Sequence, residues 1–105
     1  MVNALEDKKG EDILLMDIQH IASFADYFVI CNGTSDRMLE SLAEAVQEAA
    51  KKEFQIYSQI EGEAIDGWLV VDLGDVVVHL FSPEQRDYYG LEELWERGRV
   101  LLRLQ

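Results

Sequence analysis

Gly33-Thr34-Ser35, the carboxylates of Asp72 and Asp75, and the imidazoles of His20 and His79 are the groups of this chain whose types suit chemistry. A glycine and a hydroxyl residue opening a helix can hold a phosphate on the helix's free N–H groups. Nucleotidyl-transfer enzymes use such a turn, and add two metal-binding carboxylates two residues apart on one face of a neighbouring strand. Here Asp72 and Asp75 are three apart and straddle a turn, and no group of basic side chains stands ready for a triphosphate. The turn therefore reads first as a helix cap, with Ser35 as N-cap and Asp36 at the positive end. His20 and His79 lack a second His or Cys at ligand spacing, so no metal site is expected. Pairing Ser35 with His79 as nucleophile and base, with an orienting third group, would need a convergence in the fold that nothing in the sequence supports. No catalytic, cofactor-binding or metal-binding residue is expected. A nucleotide-binding or nucleotidyl-transferring enzyme stands as the alternative.

The most informative stretch is GWLVVDLGDVVVHLF, residues 67–81, which alternates as a β-hairpin. With Leu73-Gly74 as a two-residue turn, Asp72 pairs with Asp75, Val70 with Val77 and Trp68 with His79. Side chains alternate across a strand, so Leu69, Val71, Val76, Val78 and Leu80 form a wholly apolar face that belongs in a core. The other face carries Trp68, Val70, Val77, His79 and the two aspartates. Like charges directly opposite one another destabilise a sheet. The Asp72/Asp75 pair therefore either sits in solvent at the hairpin tip or faces a basic partner.

Around the hairpin, residues 4–9 read as a short helix stopped by Gly10. Ile13 to Ile18 and Tyr27 to Cys31 read as buried strands. Leu39, Leu42, Val46 and Ala49/Ala50 recur at helical spacing with Glu40, Glu44, Gln47 and Glu48 facing out, and Lys51-Lys52 close that helix. Phe54 to Ile60 is a weaker strand candidate and Glu61-Gly62-Glu63 a turn. Ser82 and Pro83 open a last helical stretch, which Tyr88-Tyr89-Gly90 interrupts before Leu91 to Arg97. The order predicts an α/β or α+β domain with a mixed sheet and packed helices. Val100-Leu-Leu-Arg-Leu104 is apolar enough that it must pack on its own domain or on a neighbour.

A chain of 105 residues with 49% hydrophobic residues and one proline makes one globular domain. Nine basic against 21 acidic residues give a net charge of −12. All of the surplus lies in residues 1–90, because Glu92, Glu93 and Glu96 balance Arg97, Arg99 and Arg103. Binding to phosphate backbones needs a basic patch, and only the isolated pairs Lys8-Lys9 and Lys51-Lys52 are present. No direct nucleic-acid reading is expected, and a partner should be basic protein. No apolar run reaches membrane-spanning length and no signal-peptide core is visible. The single Cys31 reads as a small buried hydrophobe and excludes an internal disulfide. A cytoplasmic or organelle-matrix location is expected. Trp68, Tyr88, Tyr89 and Trp95, interleaved with acids, are residue types that dominate interface hot spots.

Ser23-Phe-Ala-Asp-Tyr-Phe-Val-Ile-Cys31 with Gly33-Thr34-Ser35, Glu61-Gly62-Glu63, Trp68, Asp72-Leu-Gly-Asp75-Val-Val-Val-His79 and Tyr88-Tyr89 through Leu94-Trp95 resemble the ribosomal silencing factor family, RsfS or Iojap (YbeB). The shared pattern covers roughly residues 3–96 of a single domain, 1–105, with 97–105 as a C-terminal tail suited to dimerisation. The resemblance implies a catalytically silent relative of the nucleotidyltransferase fold. It implies binding to a large-subunit ribosomal protein, the universal fourteenth, so that subunit joining is blocked sterically and translation is lowered. It places the binding tryptophan at Trp68, an acidic hairpin turn at Asp72 and Asp75, and paired tyrosines at Tyr88 and Tyr89. With Val70, Val77 and His79 from the same hairpin face, these make the expected partner-binding set. A homodimer is left open.

Overall fold

Two apolar runs, Ile13-Leu-Leu-Met16 and Phe28-Val-Ile-Cys31, lie side by side in the computed structural model, which describes residues 2–90 and 99–104 without the side chains of Tyr88 and Tyr89. In chain order the elements are α1 (Val2–Asp7), β1 (Glu11–Asp17), β2 (Tyr27–Asn32), α2 (Asp36–Phe54), β3 (Ile60–Glu63), a 3-10 turn (Ala64–Asp66), β4 (Trp68–Asp72), β5 (Val76–Phe81), α3 (Pro83–Tyr89) and β6 (Arg99–Leu104). The strands form one mixed sheet of order β3-β4-β5-β2-β1-β6, in which β2 and β5 run parallel and every other pair antiparallel. This is the α+β architecture that the sequence predicts.

Central strands covered on both faces explain why the runs are apolar at consecutive positions. On one face, Leu39, Leu42, Ala43 and Val46 of α2 and Leu5 of α1 pack on Ile13, Val29, Cys31, Leu69, Val71, Val78 and Leu80. On the other, Leu14, Met16, Phe28, Ile30, Val77 and Phe81 gather with Ile18 and Ala25 from the β1–β2 connection, and Trp68 and Val70 pack at the margin. The apolar hairpin face and Cys31 are thus in the core, and burial pushes the Cys31 thiol up to about 12. Ser35 caps α2, accepting from the Met38 N–H at 3.1 Å, and Ser82 caps α3 with Pro83 behind it.

Four local expectations change. The hairpin register is shifted by two: Asp72 faces Val77, Val70 faces His79 and Trp68 faces Phe81. Leu73 N–H donates to the Val76 carbonyl at 2.9 Å, leaving Gly74 and Asp75 as the turn, with Gly74 at a φ of 91° that only glycine takes easily. Shifting by two keeps each side chain on its face, so the faces stand while the Asp72/Asp75 opposition disappears. Secondly, α1 ends at Asp7, and Lys9, not Gly10, takes the left-handed conformation (φ 63°). The bonds Gly10 N to Leu5 O (2.8 Å) and Lys9 N to Glu6 O (2.9 Å) make it a Schellman motif. Gly10 is required by space: a Cβ there would meet Cys31 Sγ at 2.5 Å. Thirdly, α2 continues to Phe54 because Lys51-Lys52-Glu53 favour helix, and it stops at a left-handed Gln55. Residues 55–59 are not a strand. Fourthly, Glu61-Gly62-Glu63 is no turn but the body of edge strand β3, paired with Trp68 to Val70. A side chain at Gly62 would strike the Trp68 carbonyl at 2.5 Å.

The C-terminal segment pairs with its own domain as a strand, but the side chains of Val100, Leu101 and Leu102 stay exposed, so the expectation that they pack is met only by the backbone. β6 adds to β1 at the sheet edge, where Arg103 grips Asp12 through two 3.1 Å bonds and Arg99 reaches Asp17 at 3.4 Å. The expected helix Leu91 to Arg97 and Trp95 lie outside the described residues.

Candidate partner-binding face

Trp68, Val70 and Asp72 alternate onto one face of β4, beside Phe81, His79 and Val77 of β5. The Trp68 ring stacks on Phe81 with centroids 5.0 Å apart and planes 25° from parallel. Its Nε1–H donates to Nδ1 of His79 at 3.2 Å. His79 in turn stands edge-on to Phe28 at 4.8 Å. Only 7% of His79 is exposed, and burial lowers its pKa to about 4. The ring is therefore neutral near pH 7, with the proton on Nε2, because Nδ1 must be free to accept. That Nε2 is buried without a hydrogen-bond partner among the described residues.

The expected site residues thus separate into layers. Asp72 and Asp75 are exposed, Trp68 and Val70 half-buried, and Val77 and His79 buried beneath them. Asp72 also acts within the hairpin, where its Oδ1 accepts from Gly74 N–H at 2.9 Å across the turn. The Asp75 carbonyl accepts from the N–H groups of Asp26 (2.8 Å) and Tyr27 (3.0 Å), anchoring the turn while its carboxylate faces water. Tyr88 and Tyr89 end α3, and their side chains lie outside the described residues.

The structure adds residues that the sequence reading missed. Gly62, Glu63, Ile65, Asp66 and Gln85 line a cleft of about 460 Å³ beside Trp68. Ile65 is 82% exposed there, a large apolar side chain in the open. The signal was available: Glu61, Glu63 and Asp66 crowd the seven residues before Trp68. A turn at 61–63 conceals it, whereas edge strand β3 brings Glu63 beside Trp68. Arg86 was also missed. It is 4% exposed and donates to the Asp12 carbonyl (2.6 Å) and Asn32 Oδ1 (2.9 Å), fastening α3 to the ends of β1 and β2.

The chemistry considered for Gly33-Thr34-Ser35 has its groups engaged locally. Gly33 N–H donates to Phe81 O, Thr34 N–H and Oγ1 approach Met38 Sδ at 3.3 and 3.4 Å, and Ser35 caps the helix. Ser35 and His79 each have other partners: Ser35 Oγ accepts from the Met38 N–H and His79 Nδ1 from the Trp68 indole. Among the described residues, no three His, Cys, Asp or Glu side chains converge as metal ligands, and no helix is long and apolar enough to cross a membrane.

Known proteins share this chain's pattern. A family model described as "Ribosomal silencing factor during starvation" matches residues 1–103. The chain is 44% identical over 92 residues to the ribosomal silencing factor RsfS of Bacillus subtilis, spanning 88% of this chain and 78% of that protein. It is 37% identical over 98 residues to a Mus musculus protein named mitochondrial assembly of ribosomal large subunit protein 1, spanning 90% and 43% respectively. A crystal structure from Chromobacterium violaceum matches with a TM-score of 0.84 at 40% identity, over 90% of this chain and 79% of that one.

Proposed function

This chain belongs to the ribosomal silencing factor family, and from that premise we propose that it represses translation by binding the large ribosomal subunit through its fourteenth ribosomal protein and blocking subunit association by occupancy. The observation that carries this reading is Trp68, only partly buried beside an acidic cleft on a chain of net charge −12. Tryptophan and flanking apolar groups supply the affinity of an interface, and complementary charge sets encounter and register. The Glu63 and Asp66 carboxylates and the Trp68 ring suit the stem and cation of a partner's lysine or arginine. In this reading Trp68, Val70, Asp72 and Asp75 face the partner together with Tyr88 and Tyr89, while Val77 and His79 support them from below. Residues 1–105 act as one domain in the cytoplasm, the compartment that holds the ribosomes. The contact is with protein, not with bases, and neither a cofactor nor a homodimer is needed.

Blocking by occupancy requires no turnover. Mixing purified subunits with increasing protein should therefore lower the joined fraction, read by sedimentation, until it saturates near one copy per large subunit. Nucleoside triphosphates and chelators should leave this unchanged, and free fourteenth ribosomal protein should reverse it. Inhibition by substoichiometric amounts, or inhibition lost on chelation while control joining survives, would restore the nucleotidyl-transfer alternative.

A further inference from the structure

We propose that His79 is a positioning residue for Trp68: its Nδ1 takes the indole N–H and sets the angle at which the ring meets the partner. This rests on the proposed docking role of Trp68. The geometry is specific. Trp68 faces Phe81 across the hairpin, not His79, so the indole reaches diagonally to make the 3.2 Å bond. Phe81 stacks under the ring at 5.0 Å and Phe28 holds the imidazole edge-on at 4.8 Å, so both ends of the bond are packed. A partly buried indole without this acceptor would turn its N–H towards water, because an unsatisfied donor at the core margin is costly. With the acceptor present, the ring is fixed before binding, and less conformational freedom is lost on docking. The N–H also ceases to be available to the partner, which meets the carbon edge and face of the ring.

Folding alone gives a weak reason for a histidine here. At 7% exposure, its Nε2 lies buried with no partner among the described residues. A leucine would fill much of the same space without burying a donor. Stability and positioning therefore predict opposite results for His79→Leu, while His79→Asn restores an acceptor near the Nδ1 position in a smaller side chain.

The test compares wild type, His79→Leu, His79→Asn and Trp68→Ala in the full chain. Three readouts serve: sedimentation with large subunits, thermal melting, and the indole N–H resonance assigned through its loss in Trp68→Ala. His79→Leu should melt no lower than wild type at pH 7 yet bind about tenfold more weakly, with its Trp68 N–H moved to a solvent-exchanging position. His79→Asn should melt lower but recover binding and the protected resonance. Binding that is unchanged in His79→Leu, or unrecovered in His79→Asn despite a folded chain, would overturn the positioning role. If wild type fails to bind large subunits, the proposed function falls instead, and the resonances still report whether His79 holds the indole.

Discussion

At the residue scale, Trp68 and His79 carry the two sharpest expectations. Truncating a central interface tryptophan costs about 2 kcal/mol or more, so Trp68→Ala should weaken large-subunit binding by roughly thirtyfold or more, measured by pelleting at fixed salt. For His79, burial holds the folded pKa near 4 against 6.5 in a free histidine. The unfolded chain therefore binds a proton as pH falls through 6.5, and the folded chain resists until about 4. The stability of neutral His79 is complete above pH 6.5 and is lost progressively towards pH 4, by on the order of 3 kcal/mol. Urea midpoints at pH 7 and pH 4.5 should separate more for wild type than for His79→Leu. Equal separations would show that the imidazole titrates normally. That Trp68 shares a mixed face with Val70, Val77 and His79 is legible in the alternation of the hairpin. The sequence puts His79 directly opposite Trp68, whereas Phe81 stands there and His79 lies diagonally, and the bond between the two rings is not legible in the sequence. The burial of Val77 and His79 was not legible, because alternation says which side chains share a face and not how much covers that face.

Elements decided by a single local pattern match their sequence expectation. Ser35 and Ser82 caps, the buried face of α2 and the apolar hairpin face follow from local periodicity alone. The misreadings fall where space or tertiary pairing decides. Gly74 was rightly placed in the turn, but as its second residue, because a shift of two preserves every face. Gly10 was read as a helix stop when its smallness is required beneath Cys31 and Leu42. That distinction is testable. Gly10→Ala should destabilise by about 1–3 kcal/mol through overpacking. Lys9→Gly should stabilise by about 1 kcal/mol, because a non-glycine residue in the left-handed region is strained. Both are read from urea midpoints, and a stable Gly10→Ala chain would return Gly10 to the role of a simple stop. Arg86 could not be found from the sequence, since its acceptor at Asp12 lies 74 positions away. Removing it leaves the Asp12 carbonyl and Asn32 amide without their buried donor, so Arg86→Ala should destabilise by about 3 kcal/mol or more. A loss below about 1 kcal/mol would mean that water replaces the guanidinium.

For the whole molecule, the acidic surplus should show as salt sensitivity. Raising ionic strength should slow association with a basic partner, and Asp75→Lys should weaken both binding and its salt dependence. Asp75 is the better probe than Asp72, whose carboxylate also holds the turn. Rates of binding at two salt concentrations decide this; identical rates would leave the carboxylates as solvated turn residues. The order of the sheet has a kinetic consequence as well. β4 and β5 are joined by a two-residue turn and can pair early, whereas β1 must wait for β6, whose Arg103 meets Asp12 across 91 positions. Contacts so distant along the chain form late, since closing a long loop is entropically unfavourable before any contact rewards it. Until β6 arrives, the Ile13-Leu-Leu-Met16 strand presents an open, apolar edge to other chains. The slow step of refolding should therefore be the closing of this edge, and yield should fall with protein concentration during that interval.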